Sequence, residues 1–349
     1  MKRYSNLYFK LCSIENLELA FRKARRNKTI TPHIKKFENN LEQELLKLKH
    51  ELETFTYKPE KLIRFIVNDP KTRTIHASAF KDRVVHHALI NIIQPIFEKS
   101  FIHDSFANQI NKGTHKAVLR FEYFKGKVSK NYKLVKKPFT NNSIQGYVFK
   151  ADIKHYFETV DHDILLNIIK RRIKDENILW LIQLIIKHFN PSKGMPLGNL
   201  TSQFFANVFL NELDYYIKNK LQAKYYIRYV DDFVILNHNK NLLEAYLIKI
   251  KKYLTTLKLE LHPDKSKIIP LQKGLSFLGY RIFGKYKLLR KRNIKYFHKK
   301  LNEKFDLYNQ NILTKQDFKN SLQGWIGYSM WANTYRLRTN VIKKVNDLA

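Results

Sequence analysis

The chain has 349 residues, 44% of them hydrophobic, enough for two or three substructures around a sizeable core and too apolar for a disordered polypeptide. Lysine and arginine total 65 against 30 acidic residues, and the resulting +35 is spread from Lys2 to Lys344, so a polyanion is the expected partner and nucleic acid leads over anionic membrane. Cys12 is the only cysteine, which excludes intramolecular disulfides and cysteine-built zinc sites.

Residues 13–54 read as helical. Leu17, Ala20, Phe21 and Ala24 keep helical spacing opposite a basic face of Arg22, Lys23, Arg25 and Arg26, and a second helix is expected over 34–52. That basic face is either solvated or bound to a nucleic-acid backbone. Residues 61–76 alternate like strands about a turn at Asn68-Asp69-Pro70-Lys71, and a helix is expected over 82–97. His86-His87 lacks helical metal-ligand spacing and reads as helix surface or packing. Residues 125–146 are polar and read as an exposed loop or hairpin. A strand over 147–153, helices over 161–172 and 180–189, and a long helix over 200–220 follow. The most apolar stretch, 178–189, is interrupted by Gln183, Lys187 and His188 and is too short to span a membrane. The first residues lack the apolar core of a signal peptide, so a cytoplasmic location fits. Past residue 240 a helix (242–257), short strands (266–283) and basic helices from Asn293 are expected, with Trp325, Tyr328 and Trp331 on one side. Helices and antiparallel strands mix without a βαβ rhythm, so the fold class is α+β.

The chemistry concentrates at three points. Tyr225-Tyr226-Ile227-Arg228-Tyr229-Val230-Asp231-Asp232-Phe233-Val234-Ile235-Leu236 places two carboxylates between two strand-like runs, as at the bend of a hairpin. Aspartate also favours turns for local hydrogen-bonding reasons, so the pair alone is either a turn or a metal site. A third acid, Asp152, ends a strand in Phe149-Lys150-Ala151-Asp152-Ile153-Lys154-His155-Tyr156-Phe157. Two strand-end carboxylates brought together can bridge two divalent ions about 3.5–4 Å apart, and Mg2+ suits oxygen ligands and phosphates. Between these acids, Gly194-Met195-Pro196-Leu197-Gly198-Asn199-Leu200-Thr201-Ser202-Gln203 runs into a helix, its glycines allowing backbone to approach a ligand closely. No Gly-Lys-Ser/Thr phosphate loop is present, so an ATPase motor is not indicated.

In this order, acid, Gly-Pro-Gly loop, acid pair, the chain resembles a reverse transcriptase from roughly residue 60 to 345. The resemblance implies a right-hand polymerase: a helical basic extension over 1–58, fingers with some palm helix over 59–146, a palm with an antiparallel sheet over 147–284 and a helical thumb over 285–349. It implies Asp152, Asp231 and Asp232 as catalytic and metal-binding acids, with the Ile153 carbonyl as a further ligand, for two Mg2+ ions or Mn2+. Asp232 could instead be a supporting acid. For the nucleotide it implies Arg73 at the triphosphate, Phe157 as an aromatic gate that excludes a ribose 2′-hydroxyl, Lys71, Tyr156 and the loop residues Leu197, Gly198 and Gln203 as further nucleotide-binding residues, and Lys265 near the leaving phosphate, with Lys267 as its competitor. For nucleic acid it implies Arg22, Arg25 and Arg26, a primer-grip hairpin at Phe277-Leu278-Gly279-Tyr280, and Arg290, Lys291 and Arg292. Partners would be template RNA, the cDNA primer-template duplex and dNTPs.

Two positions depart from the common pattern: Leu197 stands where a glutamine is usual, and Gln203 where a proline is usual. This version, together with Cys12-Ser13-Ile14-Glu15-Asn16-Leu17 and Ala24-Arg25-Arg26, is similar to the reverse transcriptases of bacterial and phage diversity-generating retroelements. That implies copying of a template-repeat RNA with frequent errors opposite adenine, mutagenic retrohoming into a target gene, and an oligomeric accessory variability protein. Alternatives are a retron, defence-associated or group II intron-like enzyme, the last disfavoured by the lack of HNH, zinc or DNA-binding sequence after the thumb, and a non-catalytic RNA-binding scaffold, whose expected mark is loss of one of the three acids.

Overall fold

A computed structural model describes residues 2–68, 72–137 and 140–346. Four helices open the chain: α1 (Tyr8–Cys12), α2 (Ile14–Arg25), α3 (Pro32–Asn39) and α4 (Leu41–Glu53). Strands β1 (Ile63–Val67) and β2 (Arg73–Ala77) precede α5 (Phe80–Glu98) and α6 (Thr114–Val128). Next come β3 (Leu134–Lys137), β4 (Thr140–Ile144), β5 (Tyr147–Asp152), α7 (Tyr156–Thr159), α8 (His162–Lys170) and α9 (Glu176–Lys187). Helix α10 (Leu200–Tyr215) runs on into a π-helical turn, Tyr216–Lys220, ahead of β6 (Tyr226–Tyr229), β7 (Asp232–Asn237) and α11 (Lys240–Thr256). The chain continues through β8 (Lys267–Pro270), β9 (Leu275–Phe277), β10 (Tyr280–Ile282) and β11 (Lys287–Leu289) to α12 (Lys291–Asn309), α13 (Lys315–Ser329) and α14 (Tyr335–Asn346).

The fold mixes helix and sheet. Strands hydrogen-bond in the order β6-β7-β5-β8, with β5 antiparallel to β8 in a register of Tyr147 with Pro270 and Lys150 with Lys267. Three smaller sheets are β1-β2, β3-β4 and β11-β10-β9. Two compact units emerge, each from separate stretches of chain: Met1–Asn111, Ala151–Phe233 and Tyr246–Ser266 form the first, and Lys112–Lys150, Val234–Ala245 and Lys267–Ala349 the second.

In the first unit α2 lies along α5. Leu17, Ala20 and Ala24 are buried on one side of α2, and Val84, Val85, Ala88 and Leu89 are buried on α5. Each fully buried aliphatic side chain of Leu or Val size contributes about 1.5–3 kcal/mol. Asn16 fixes the pairing: its Nδ2 donates to the Ala88 carbonyl at 3.2 Å and its Oδ1 accepts from Asn91 at 3.0 Å. Ser13 caps α2 by accepting from the Asn16 N–H at 3.3 Å, the physical reason for a serine at that point in the chain. The expected 34–52 helix is two helices, because Asn40 (φ −118°, ψ 34°) leaves helical geometry and ends α3 as α4 begins. The expected 82–97 helix starts at Phe80 and includes Glu98, with Pro95 inside it. Phe80 is held there by the rings of Phe21 and Phe37.

In the second unit the expected exposed segment at 125–146 begins inside α6, where Lys125, Gly126 and Val128 are buried. The Lys125 ammonium donates to the Phe283 carbonyl, and burial pushes its pKa down to about 8. A β3-β4 hairpin does follow; residues 138 and 139 lie outside the described residues. Leu301, Phe318 and Val341 form the core under α12–α14. Trp325, Tyr328 and Trp331 do not share a side: Trp325 stacks on Phe297 at 3.7 Å, Tyr328 meets Tyr280 at 5.4 Å, and Trp331 stacks on His115 at 4.0 Å. Trp331 lies past the end of α13, so helical spacing does not govern where its ring goes. No helix among the described residues is long and apolar enough to cross a membrane.

Candidate active site

All three acids belong to the first unit. Asp152 is the last residue of β5 and Asp232 the first of β7, and these strands are neighbours. The Ile153 N–H donates to the Asp231 carbonyl at 3.3 Å, which joins the two acidic stretches directly. Val230 and Asp231 form the bend between β6 and β7, with Val230 in the left-handed region at φ +55°. The backbone at Asp152 is held on its other side by 260–266: its carbonyl accepts from the His262 N–H at 2.7 Å, and its N–H donates to Ser266 Oγ at 3.5 Å. Lys265 Nζ donates to Asp152 Oδ1 at 2.8 Å.

The electrostatics follow from this crowding. The Asp231 carboxyl is raised to about 6, first by burial and then by the Asp152 and Asp232 carboxylates beside it. Carboxylates that repel one another in a half-buried site are what a divalent cation relieves, and the Lys265 ammonium supplies one positive charge there. Among the described residues no three His, Cys, Asp or Glu side chains gather closely enough to enclose an ion alone. The donor set therefore fits ions held by Asp152 and Asp231 and completed by oxygens from elsewhere, such as a backbone carbonyl and substrate phosphates. Ile153 is itself buried.

The Gly-Pro-Gly loop links the other sequence-predicted residues. Its first part is stitched to the segment after Asp152: the Met195 N–H donates to the Phe157 carbonyl at 2.6 Å and the Gly194 N–H to the Val160 carbonyl at 2.8 Å. Buried His162 donates from Nε2 to the Gly194 carbonyl at 2.7 Å. Its second part meets β2: the His76 N–H donates to the Leu197 carbonyl at 3.2 Å, and a Cβ on Gly198 (φ +106°) would stand 2.9 Å from Ile75 Cγ2. Phe157 and the strand that begins at Arg73 are thus both hydrogen-bonded to this loop, at Met195 and Leu197, with Gly198 packed close against Ile75. Arg73 is exposed at the start of β2, and Lys71, with the turn at 69–71, lies outside the described residues. Tyr156 does not join this surface. It is buried and donates its hydroxyl to the Ala206 carbonyl at 2.8 Å, so it backs Phe157 instead of facing a nucleotide.

Gln203 and Gly198 border a cavity of about 470 Å³ also lined by Lys23, Arg26, Lys28, Arg83 and Phe65, with no acidic side chain among the described residues that line it. His87, which also lines it, is lowered to about 4, first by burial and then by the Lys23 and Lys28 charges. Neighbouring His86 is buried, in accord with a packing role. Of Arg22, Arg25 and Arg26, the last lines this cavity, Arg22 pairs with Glu18 in solvent, and Arg25 pairs with Glu38. In the second unit the Gly279 carbonyl accepts from Tyr328 (3.3 Å), Asn293 (3.4 Å) and the Arg290 N–H (3.3 Å). Arg290 immediately precedes α12, and Lys291 and Arg292 are exposed on its first turn.

Sequence reasoning missed the support behind the acid turn. Arg228 and Asp214, joined at 2.6 Å, are fully buried. The available signal was an arginine inside an otherwise apolar strand, which at such a position needs a buried acid.

Strand-end acids, a loop with glycines at positive φ and a basic cavity without acidic lining are thus brought together in the first unit. Residues 66–282 match the family described as reverse transcriptase (RNA-dependent DNA polymerase), and the chain belongs to that family. It is 29% identical over 287 residues to Protein YkfC of Escherichia coli (strain K12), covering 69% of this chain and 72% of that protein. It is 28% identical over 203 residues to the Retron Ec73 reverse transcriptase of Escherichia coli, covering 52% and 61%. It is 25% identical over 187 residues to the Group II intron-encoded protein LtrA of Lactococcus lactis subsp. cremoris, covering 50% of this chain but 28% of that longer protein. The chain is an RNA-directed DNA polymerase by family.

Proposed function

We propose that the chain copies RNA into DNA by two-metal nucleotidyl transfer at Asp152 and Asp231. The observation that carries this reading is the meeting of β5 and the β6–β7 bend, with Asp231 raised to about 6 by burial and by its neighbouring carboxylates. Asp152 and Asp231 would hold Mg2+, or Mn2+, with the Ile153 carbonyl as a further oxygen and Asp232 in support. Bound there, the metal lowers the pKa of a primer 3′-hydroxyl and neutralises charge on the transferring phosphoryl group. Lys265 and Arg73 orient the triphosphate, the Phe157 ring limits the sugar, and the 197–203 loop flanks the forming base pair. In this reading β1, β2 and the cavity beyond them belong to the fingers, the four-stranded sheet to the palm and α12–α14 to the thumb. The basic N-terminal face and Arg290–Arg292 hold the template and its duplex by their phosphates. Primer extension on RNA with Mg2+ tests the site: Asp152→Ala and Asp231→Ala should abolish synthesis while RNA binding survives. Synthesis retained in either variant rejects the assignment.

The finer reading is a diversity-generating retroelement enzyme that copies a template-repeat RNA with errors at adenine, alongside an oligomeric accessory protein. It rests on Leu197 and Gln203. A second reading, a retron or group II intron-like enzyme, is favoured by similarity to the retron Ec73 enzyme and to LtrA. The DNA flanking the gene separates them. Paired repeats differing mainly at adenines support the first reading, and their absence rejects it.

A further inference from the structure

The bend that carries Asp231 is held from behind by a charge that solvent does not reach. Arg228 and Asp214 are both 0% exposed. The guanidinium meets the carboxylate side-on, Nε to Oδ1 at 2.7 Å and Nη2 to Oδ2 at 2.6 Å. Tyr226 donates its hydroxyl to the same Oδ1 at 2.6 Å. Nη1 points elsewhere: it donates to Asn207 Oδ1 at 3.1 Å and to the Val230 carbonyl at 3.1 Å. That carbonyl belongs to the peptide unit that joins Val230 to Asp231. Burial alone would lower the guanidinium pKa, and Asp214 more than offsets this, so the group stays charged.

Two features argue that this network exists for the bend. A buried ion pair contributes little over apolar side chains of similar volume, so stability alone does not account for it. Val230 is β-branched and sits at φ +55°, a conformation such residues rarely adopt without an external hold. The Arg228 fork is that hold, and it is itself braced. The Arg228 N–H donates to the Asp104 carbonyl at 3.0 Å, its carbonyl accepts from the Phe106 N–H at 3.0 Å, and Asn207 Nδ2 donates to the Ala107 carbonyl at 2.8 Å. One planar group must serve three acceptors in different directions, which a lysine cannot do.

We propose that Arg228 is the positioning residue for Asp231: clamped by Asp214 and Asn207, it fixes the Val230 carbonyl and so directs the Asp231 carboxylate to the site it shares with Asp152. The proposal rests on the reading of Asp231 as a metal-binding acid.

Two full-length variants test it. Arg228→Lys keeps a buried positive charge for Asp214 but lacks the fork. The double variant Arg228→Met with Asp214→Met removes both charges and the hold on Val230. Mn2+ binding, measured by electron paramagnetic resonance without nucleotide, should weaken by about 10–100-fold in both, as is usual when a residue supporting a metal ligand is lost. The Mg2+ concentration for half-maximal extension should rise in parallel, and kcat should fall by roughly 100-fold. KM for dNTP, duplex affinity and the unfolding midpoint of the double variant should stay near wild type. A folded variant that binds Mn2+ and uses Mg2+ like the wild type overturns the proposal. Failure of both variants to fold also overturns it, by assigning Arg228 to stability alone. Asp231→Ala in the same assay keeps the two ideas apart: extension by that variant rejects the Asp231 reading whatever Arg228 does.

Discussion

Lys265 donates to Asp152 Oδ1 at 2.8 Å, so a cation of the chain itself already sits on an oxygen that a metal ion would use. The lysine is 39% exposed and the aspartate 13%, which leaves the ammonium free to turn outward. The same side chain neutralises Asp152 and, in the proposed reaction, would turn outward to a triphosphate.

Lys265→Met separates these roles. Losing one charge-assisted hydrogen bond to a phosphate should raise the KM for dNTP about tenfold, while the Mg2+ midpoint falls because Asp152 loses its competitor. A partly exposed pair adds less than about 1 kcal/mol to folding, so the unfolding midpoint should hardly move. Steady-state extension at varied dNTP and Mg2+ reads all of this; an unchanged KM would confine Lys265 to Asp152.

Asp231 makes stability depend on pH. Its folded-state pKa, about 6, lies above the ordinary carboxylate value of 3.8, so between these values the folded protein binds more protons than the unfolded chain. Stability from this group is therefore lost as pH rises through that window, by at most about 3 kcal/mol. In EDTA, urea unfolding between pH 4 and 8 should show this slope in the wild type and a flatter one in Asp231→Asn, which should also be the more stable protein at pH 8. Mg2+ must displace the proton, so its affinity should fall below about pH 6.

Gly198 faces two constraints, φ +106° and Ile75 Cγ2 at 2.9 Å from any added Cβ. Gly198→Ala should destabilise by about 1–3 kcal/mol and weaken dNTP binding by shifting the loop against β2. Adding Ile75→Ala should recover the steric part only. Thermal unfolding of the single and double variants measures both; full recovery would show that the backbone conformation is not strained by alanine.

Leu197 presents an alkyl side chain where an amide is usual in the resembling enzymes, while its carbonyl is fixed by His76. Leu197→Gln should lower misincorporation opposite template adenine towards the frequency at other bases. Sequencing single-cycle cDNA from a defined RNA template is the measurement. Equal error at all four bases in the wild type would remove the link between this residue and mutagenesis.

Much of the site was legible because it is local. The alternation around Asp231-Asp232, the strand ending at Asp152 and the glycines at 194 and 198 each follow from backbone preferences within a few residues. Legibility failed where a long-range partner set the outcome. Lys125 reads as a solvated charge, yet the Phe283 carbonyl draws it inside. Tyr156 reads as a nucleotide-binding residue, yet the Ala206 carbonyl takes its hydroxyl. Trp331 follows Trp325 by six residues but stacks on His115, because the helix carrying Trp325 has already ended.

The sequence by itself determined that this is a folded, strongly basic chain with three acids in the order of a reverse transcriptase, because composition, short-range alternation and motif order are written in neighbouring residues. Only the tertiary structure decided which lysine reaches Asp152, which arginine holds the Asp231 bend, and which predicted residue turns inward. Those outcomes depend on hydrogen bonds between residues from 14 to 113 positions apart, and on burial that leaves a charge to be met by the chain itself.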